Sequence, residues 1–478
     1  MHPETNALLP SSTPSEIASS TLRKLDWRVL LLCSGVTFIS YMDRGNLGFV
    51  AKDLCAVLDL NHKEYGLAVS LFYAGYICVQ FISNEFLRRF GGPAWMASIM
   101  FAWGCVSVAM SLVQTATQFY VLRFLLGIAE GGTFPAVLFF LSTFYPGSHQ
   151  TGAIGVVTGF VALAMPVSSP LSAGLMALDG LFGVDGWRYV FIGEGLIPLV
   201  YAVALYAFLP RSPEEASFLE PEEKEWILGH RLTHPSSDSR PSMWAAFRQA
   251  VLNKTWVLAS LAGMLTIGVF NVMTVWITMI IHDTLYGDDD ADDDDSKTCG
   301  SKNGNATAAI LLTAIPYSLA CALCFGLHWY DNRIGIRNRP RFAARIFLAV
   351  ALFLVSWLGT KAISFVTGFL SLVFAVGLQS LATSCNVAMI TCLFDVEARS
   401  RTISLANIVL SIGALVFPPI VGALVDAYGY GAAVLFLGSL IGIAAILDMS
   451  ITDPCPKQLG GDSSTEKEPQ SNEALPAS

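Results

Sequence analysis

The run Trp27–Val50, WRVLLLCSGVTFISYMDRGNLGFV, decides the fold. It is longer than the roughly 20 residues a helix needs to cross a bilayer. It stays almost wholly apolar until Asp43, Arg44 and Asn46 interrupt it near its far end. Ionisable residues inside such a segment are costly, and by default they mark a functional site.

Composition agrees with this segment. The chain has 478 residues, 54% of them hydrophobic and 14% charged, whereas a soluble domain carries roughly 25% charged residues. That excludes a soluble enzyme or binding module and implies an integral membrane protein. The net charge of -9 comes mostly from the loop GDDDADDDDSK and from acidic stretches of the central loop and C-terminal tail. No basic patch points to nucleic acid.

Twelve apolar spans can be read, at 25–48, 66–86, 93–114, 118–144, 150–173, 188–209, 255–281, 307–329, 342–360, 364–393, 401–425 and 431–449. The expected organisation is a polar tail (1–24), a six-helix bundle (25–209), a charged linker (210–254), a second six-helix bundle (255–450) and a polar tail (451–478). The start of the chain lacks the charged and apolar regions of a cleaved signal, so the first helix is expected to be retained.

Lysine and arginine set the expected orientation. Of the 28, 20 fall at the side of the two termini and six at the other, while Arg44 and Arg123 lie inside spans. The positive-inside rule then puts both termini in the cytosol. On the opposite side it puts the Asp run 288–295, read as a solvated loop, and the sequon Asn305-Ala306-Thr307, a glycosylation candidate at Asn305. Cys55 and Cys299 also fall on that side, where a disulfide is permitted but not indicated. Cys321 and Cys324 lack a third ligand at zinc spacing, and no metal site is expected.

The two halves read as copies. NEFLRRFGGP follows span two and HWYDNRIGIRNRP follows span eight. FLLG at Phe124–Gly127 in span four has its counterpart, about 250 residues on, in FAVG at Phe374–Gly377. Two bundles related by an axis along the membrane normal give this pattern, and one bundle rocking against the other gives alternating access.

YMDRGN, YGLAVSLFYAGYICVQFISNEFLRRFGG, QFYVLRFLLGIAEGGTFPAVLFFLSTFYP and GWRYVFIGEGLIPLVYAVALYAFLPRSPEEASFLEPEEKEWI occur in this order through the first half. Looser matches follow in AIPYSLA, YDNR and DVEARSRTISLANIVLSIGALVFPPIVGALVD. Together they resemble the anion:cation symporter family of the major facilitator superfamily. The resemblance implies an all-α fold of twelve transmembrane helices in two pseudo-symmetric six-helix bundles, and transport of a small organic anion with protons. It also implies substrate roles for Tyr41, Tyr76, Ser384 and Asn407. There are two departures from the pattern. The loop after span four, YPGSHQTGAIG, has only His149 where arginines are usual, and span five offers Thr158, Ser168 and Ser169 but no amide.

Asp43, Arg44, Arg123 and Glu130 are the ionisable residues read as deep in the first bundle. Unpaired, they would together cost on the order of 10 kcal/mol. Arg123 and Glu130 are seven apart and share a helix face. One reading is a structural salt-bridge cluster. The other is an anion site, in which Arg44 and Arg123 bind a carboxylate bidentately and Asp43 and Glu130 carry the coupling proton, Glu130 above all. The second bundle is expected to add only neutral groups, namely Asn271, Trp276, Ser380, Ser384, Asn386 and Asn407.

The tail segment ETNALL presents Glu4, Leu8 and Leu9 in the spacing of an acidic dileucine signal read by sorting adaptors, so a lysosomal or vacuolar membrane is one expected address and the plasma membrane the other. No nucleophile, cofactor or nucleotide constellation occurs. The sequence thus reads as a proton-coupled secondary transporter of an organic carboxylate. A sodium-coupled or uncoupled anion carrier and a transporter-like nutrient sensor remain as alternatives.

Overall fold

The computed structural model describes residues 14–230, 243–286, 299, 306–333, 339–361, 364–392 and 396–451, and apart from turns they are helical. The chain enters through α1 (Pro14–Leu25), a π turn (Asp26–Leu30) and α2 (Leu31–Leu58). The first half continues with α3 (His62–Phe90), α4 (Gly92–Met110), α5 (Ala116–Glu130), α6 (Thr133–Phe144), α7 (Gly147–Met176) and α8 (Gly186–Phe208). Two short helices, α9 (Pro221–His230) and α10 (Met243–Leu252), lead into the second half. That half contains α11 (Lys254–Tyr286), α12 (Ala306–Arg333), α13 (Arg339–Lys361), α14 (Phe365–Cys392) and α15 (Val396–Met449).

Ten stretches among the described residues are long and apolar enough to cross a membrane. The 29-residue α3 adds an eleventh crossing. A twelfth follows because α15 is two helices joined at Gly429, whose φ of +77° reverses the chain. The fourth crossing is itself split, into α5 and α6, at Gly131 and Gly132. The face holding α1, α9, α10 and the end of α15 is called here the terminal face, and the other the distal face.

Each half is drawn together by close backbone approaches of the kind that hold membrane helices. A Cβ on Gly127 of α5 would fall 1.9 Å from the Phe72 carbonyl oxygen of α3. Its counterpart Gly377 of α14 faces Leu319 and Leu323 of α12. The 250-residue offset in the sequence is therefore an equivalence of packing, with crossing four on crossing two in one half and crossing ten on crossing eight in the other.

At the distal face the halves are shut against each other. Gly66 of α3 meets Pro418 of α15, and Gly422 meets His62, both at distances only a glycine permits. The distal end of α3 is fixed by a capping box between Asn61 and Glu64, which aims the His62 and Lys63 amides at Asp426 (3.1 and 3.0 Å). His62 also stacks on Trp276 of α11. Lys52 Nζ reaches His282 Nδ1 at 2.7 Å, and Ser169 of α7 donates to the Ile310 carbonyl of α12. At the terminal face Glu223 of α9 takes a hydrogen bond from Lys24 (2.8 Å) and one from Ser20 (2.9 Å), and so docks α1.

Candidate functional site

A small cavity lies midway between the halves. One wall is Tyr41, Arg44, Val69, Phe72, Tyr73 and Arg123, and the other is Asn271, Thr274 and Val275. Tyr41 and Arg44 sit three apart on α2 and therefore share its cavity-facing side. The space left for the centre of a water-sized sphere is about 10 Å³, roughly one water. A ligand larger than a water fits only when the halves part.

Two guanidinium groups meet here with unequal partners. Arg44 is held by one oxygen of Glu130, from Nε at 2.7 Å and Nη2 at 2.6 Å. The same Oε1 accepts from Ser40 Oγ at 2.5 Å, while Oε2 has no hydrogen-bond partner among the described residues. Tyr41, Phe72 and Tyr76 surround the Arg44 guanidinium with ring faces at 4.8, 5.5 and 5.0 Å. Arg123 is 3% exposed, yet it makes no ion pair among the described residues. It has only a 3.4 Å bond to the Ala68 carbonyl oxygen and the face of Phe72 at 4.9 Å. A buried cation so weakly satisfied suits an anion that arrives from outside.

Asp43 is turned away from Arg44. Neighbouring residues on a helix point about 100° apart, so i,i+1 pairs do not meet. Asp43 instead accepts from Ser107 of α4 (2.7 Å) and Asn46 (3.1 Å) inside the first half. Likewise Glu130 pairs with Arg44 rather than with Arg123 on its own helix.

Two buried carboxylates escaped the sequence reading. Glu194 of α8 is 2% exposed and accepts from Ser168 (3.3 Å) and Ser172 of α7. Its other oxygen has no hydrogen-bond partner among the described residues. The signal was present, since Glu194 stands in the quoted GWRYVFIGEGLIP and Ser168 and Ser172 are spaced i,i+4 on the adjoining span. Asp448 of α15 is fully buried and takes the Asn386 amide at 3.1 Å. The second half thus holds a buried carboxylate at the end of its last crossing, outside the cavity. Asp448 also gives Asn386 a partner near the terminal face, away from the cavity.

The remaining expected residues are distributed as follows. Asn271 lies on the cavity, where Tyr73 Oη donates to its side-chain oxygen across the halves. Tyr76 touches Arg44, and Trp276 belongs to the distal seal. Ser380 bonds within its own helix. Asn407 is half-buried on α15 and does not line the cavity. Thr158 bonds within α7. The Ser384 side chain, Asn305, Glu4, Leu8 and Leu9 lie outside the described residues.

The sequence profile of the family described as Major Facilitator Superfamily matches residues 33–384 and 346–474. A protein of Agrobacterium vitis named as a tartrate transporter is 26% identical over 453 residues, spanning 93% of this chain and 94% of its own. A Pseudomonas putida metabolite transport protein, NicT, is 29% identical over 60% of this chain and 65% of its own. Among solved structures, a D-xylose-proton symporter superposes with a TM-score of 0.69 at 16% identity, covering 90% of this chain and 98% of that one. A bacterial homologue of the lysosomal transporter Spinster, inward-facing and occupied, gives 0.65 at 15% identity over 88% and 95%.

Proposed function

The chain belongs to the Major Facilitator Superfamily, and from that premise we propose that it carries a small organic anion across a membrane together with protons, by alternating access. The observation that carries this reading is the cavity between the halves in which Arg123 has no ion pair among the described residues and Arg44 is held by a single oxygen of Glu130. With Glu130 ionised, Arg44 is occupied. With Glu130 protonated, Arg44 is released beside Arg123, and the two offer a pair of forks to a carboxylate. Carboxylate and proton then favour the same state of the site, which is the requirement for symport. The aromatic walls and the Asn271 amide suit a small hydroxy acid, and the tartrate name of the Agrobacterium vitis relatives points the same way. These features support membership of the anion:cation symporter family within the superfamily.

The Lys and Arg distribution supports a cytosolic terminal face, so the distal face is extracytosolic. The dileucine spacing at Glu4, Leu8 and Leu9 supports an acidic organelle. The test is uptake of labelled tartrate, or another small hydroxy acid, into empty proteoliposomes, with counterflow in preloaded ones as the measure of exchange. Labelled acid is expected to enter against its gradient when the outside is acidified, and a protonophore is expected to abolish the accumulation. Ligand-induced thermal stabilisation without any counterflow would instead identify a sensor.

A further inference from the structure

Two cysteines from opposite halves meet at the distal seal. Cys55 is in the last turn of α2, fully buried. Cys299, in the connection between α11 and α12, is 3% exposed. Their backbones are linked through Leu60, whose N–H donates to the Cys55 carbonyl (3.0 Å) and whose carbonyl accepts from the Cys299 N–H (2.9 Å). The two side chains are neighbours, both thiols are free, and both residues belong to the buried cluster that runs across the halves.

We propose that Cys55 and Cys299 are a disulfide-forming site that ties the α11–α12 connection of the second half to the α2–α3 turn of the first. The site is independent of the transported substrate; it requires only that the distal face lie in an oxidising compartment. The oxidant is a disulfide of a thiol–disulfide oxidoreductase. One cysteine thiolate attacks it, expelling the first donor thiolate and forming a mixed disulfide. The second cysteine thiolate attacks that bond and expels the other donor thiolate. The cysteines lose two electrons and two protons, and the donor disulfide gains both. Exchange takes place while the chain is folding or the distal face is open, and burial afterwards shields the bond from reductant. The link lies beside the contact of His62 and Lys63 with Asp426, so it restrains the parting of the halves at this face.

Peptide mapping of the full-length protein, purified with N-ethylmaleimide present throughout and digested without reductant, tests the bond. A Cys55 peptide joined to a Cys299 peptide, separating on reduction, is the expected result. Maleimide on both cysteines overturns the proposal. The restraint is read from amide hydrogen exchange at His62 and Lys63, whose N–H groups cross to the other half. Exchange is expected to be about fivefold or more slower in the oxidised protein than in Cys55→Ala, in Cys299→Ala and in the reduced wild type. Equal rates in oxidised and reduced wild type would show that the bond does not restrain the gate, and the reduced wild type keeps the comparison valid if either alanine variant folds poorly.

Discussion

The two halves share a packing plan and differ in where they keep charge. In the first half Arg44, Arg123 and Glu130 gather at the cavity, with Asp43 and Glu194 behind them in the same bundle. The second half faces the cavity with an amide, a hydroxyl and a valine. Its buried carboxylate, Asp448, is at the terminal end and engaged by Asn386. The shared helix packing is fixed by glycine contacts such as Gly127 on Phe72, which leave no room for a side chain. It does not fix side-chain chemistry, so one half is free to hold the ligand's countercharge while the other acts as a neutral wall and gate.

The largest effect expected from this asymmetry lies in the arginines. Arg123→Lys and Arg44→Lys keep the charge but lose the planar fork. Uptake should fall on the order of 30-fold or more, in keeping with the roughly 2–5 kcal/mol that follows from spoiling one member of a buried, hydrogen-bonded charge pair. Surface delivery and thermal stability should hold. Normal uptake by both lysine variants would remove the bidentate site and leave the structural cluster as the better account.

The next test sets a carboxylate of one half against that of the other. Glu130→Gln fixes the protonated form, so pH-driven accumulation should vanish while exchange of labelled for unlabelled acid persists. Asp448→Asn in the second half should leave accumulation within about twofold of wild type, since its partner is an amide and not a cation. If the two variants behave alike, the division between the halves is wrong.

How much of this was legible beforehand depends on the kind of contact. Apolar length, the glycine offset between Gly127 and Gly377, and the buried charges at positions 43, 44, 123 and 130 are properties of one segment at a time, and a sequence displays them directly. Partnerships across helices are not. Arg44 with Glu130, Asp43 with Ser107 and Tyr73 with Asn271 depend on helix rotation and depth, and a change of one residue in rotation turns a side chain by about 100°. Asp43 and Arg44 are adjacent in the sequence, and helix geometry keeps their side chains apart. Glu194 is visible in GWRYVFIGEGLIP, but its partnership with Ser168 and Ser172 depends on how α8 faces α7, and Asp448 was masked by its place at the end of a span.

A smaller effect is expected at the Tyr73–Asn271 bond, which crosses the cavity. Tyr73→Phe removes the hydroxyl that Asn271 accepts and should weaken the occluded state by about 1 kcal/mol. Half-saturation in exchange should rise a few-fold with little loss of maximal rate. Tyr41→Phe, at a ring of the first half that contacts Arg44 without crossing to the second, should change it less. A larger effect from Tyr41→Phe would mean that the occluded state is held within the first half and not between the halves.

The smallest effect concerns the distal seal, where the contrast between the halves becomes one of pH. Burial lowers the His62 pKa below its ordinary 6.5, with Lys52 acting in the same sense, against the pull of Asp426 and Asp283. Neutral His62 gives Nδ1–H to Asp426 at 2.8 Å and accepts from Tyr430 at Nε2, 3.2 Å away. A pKa lower in the closed state than in the open state means that the proton favours opening. The seal's contribution from His62 is full above pH 6.5 and is lost as pH falls through the lower, closed-state value. After correction for the intrinsic pH dependence of exchange, protection of the Lys63 amide, which donates to the same Asp426, should fall by less than tenfold between pH 7.5 and 5. His62→Gln should flatten that profile. Protection that stays constant in the wild type would show that the seal has no acid sensitivity, and a fall that is equal in the glutamine variant would assign it to another pair, such as Lys52 with His282.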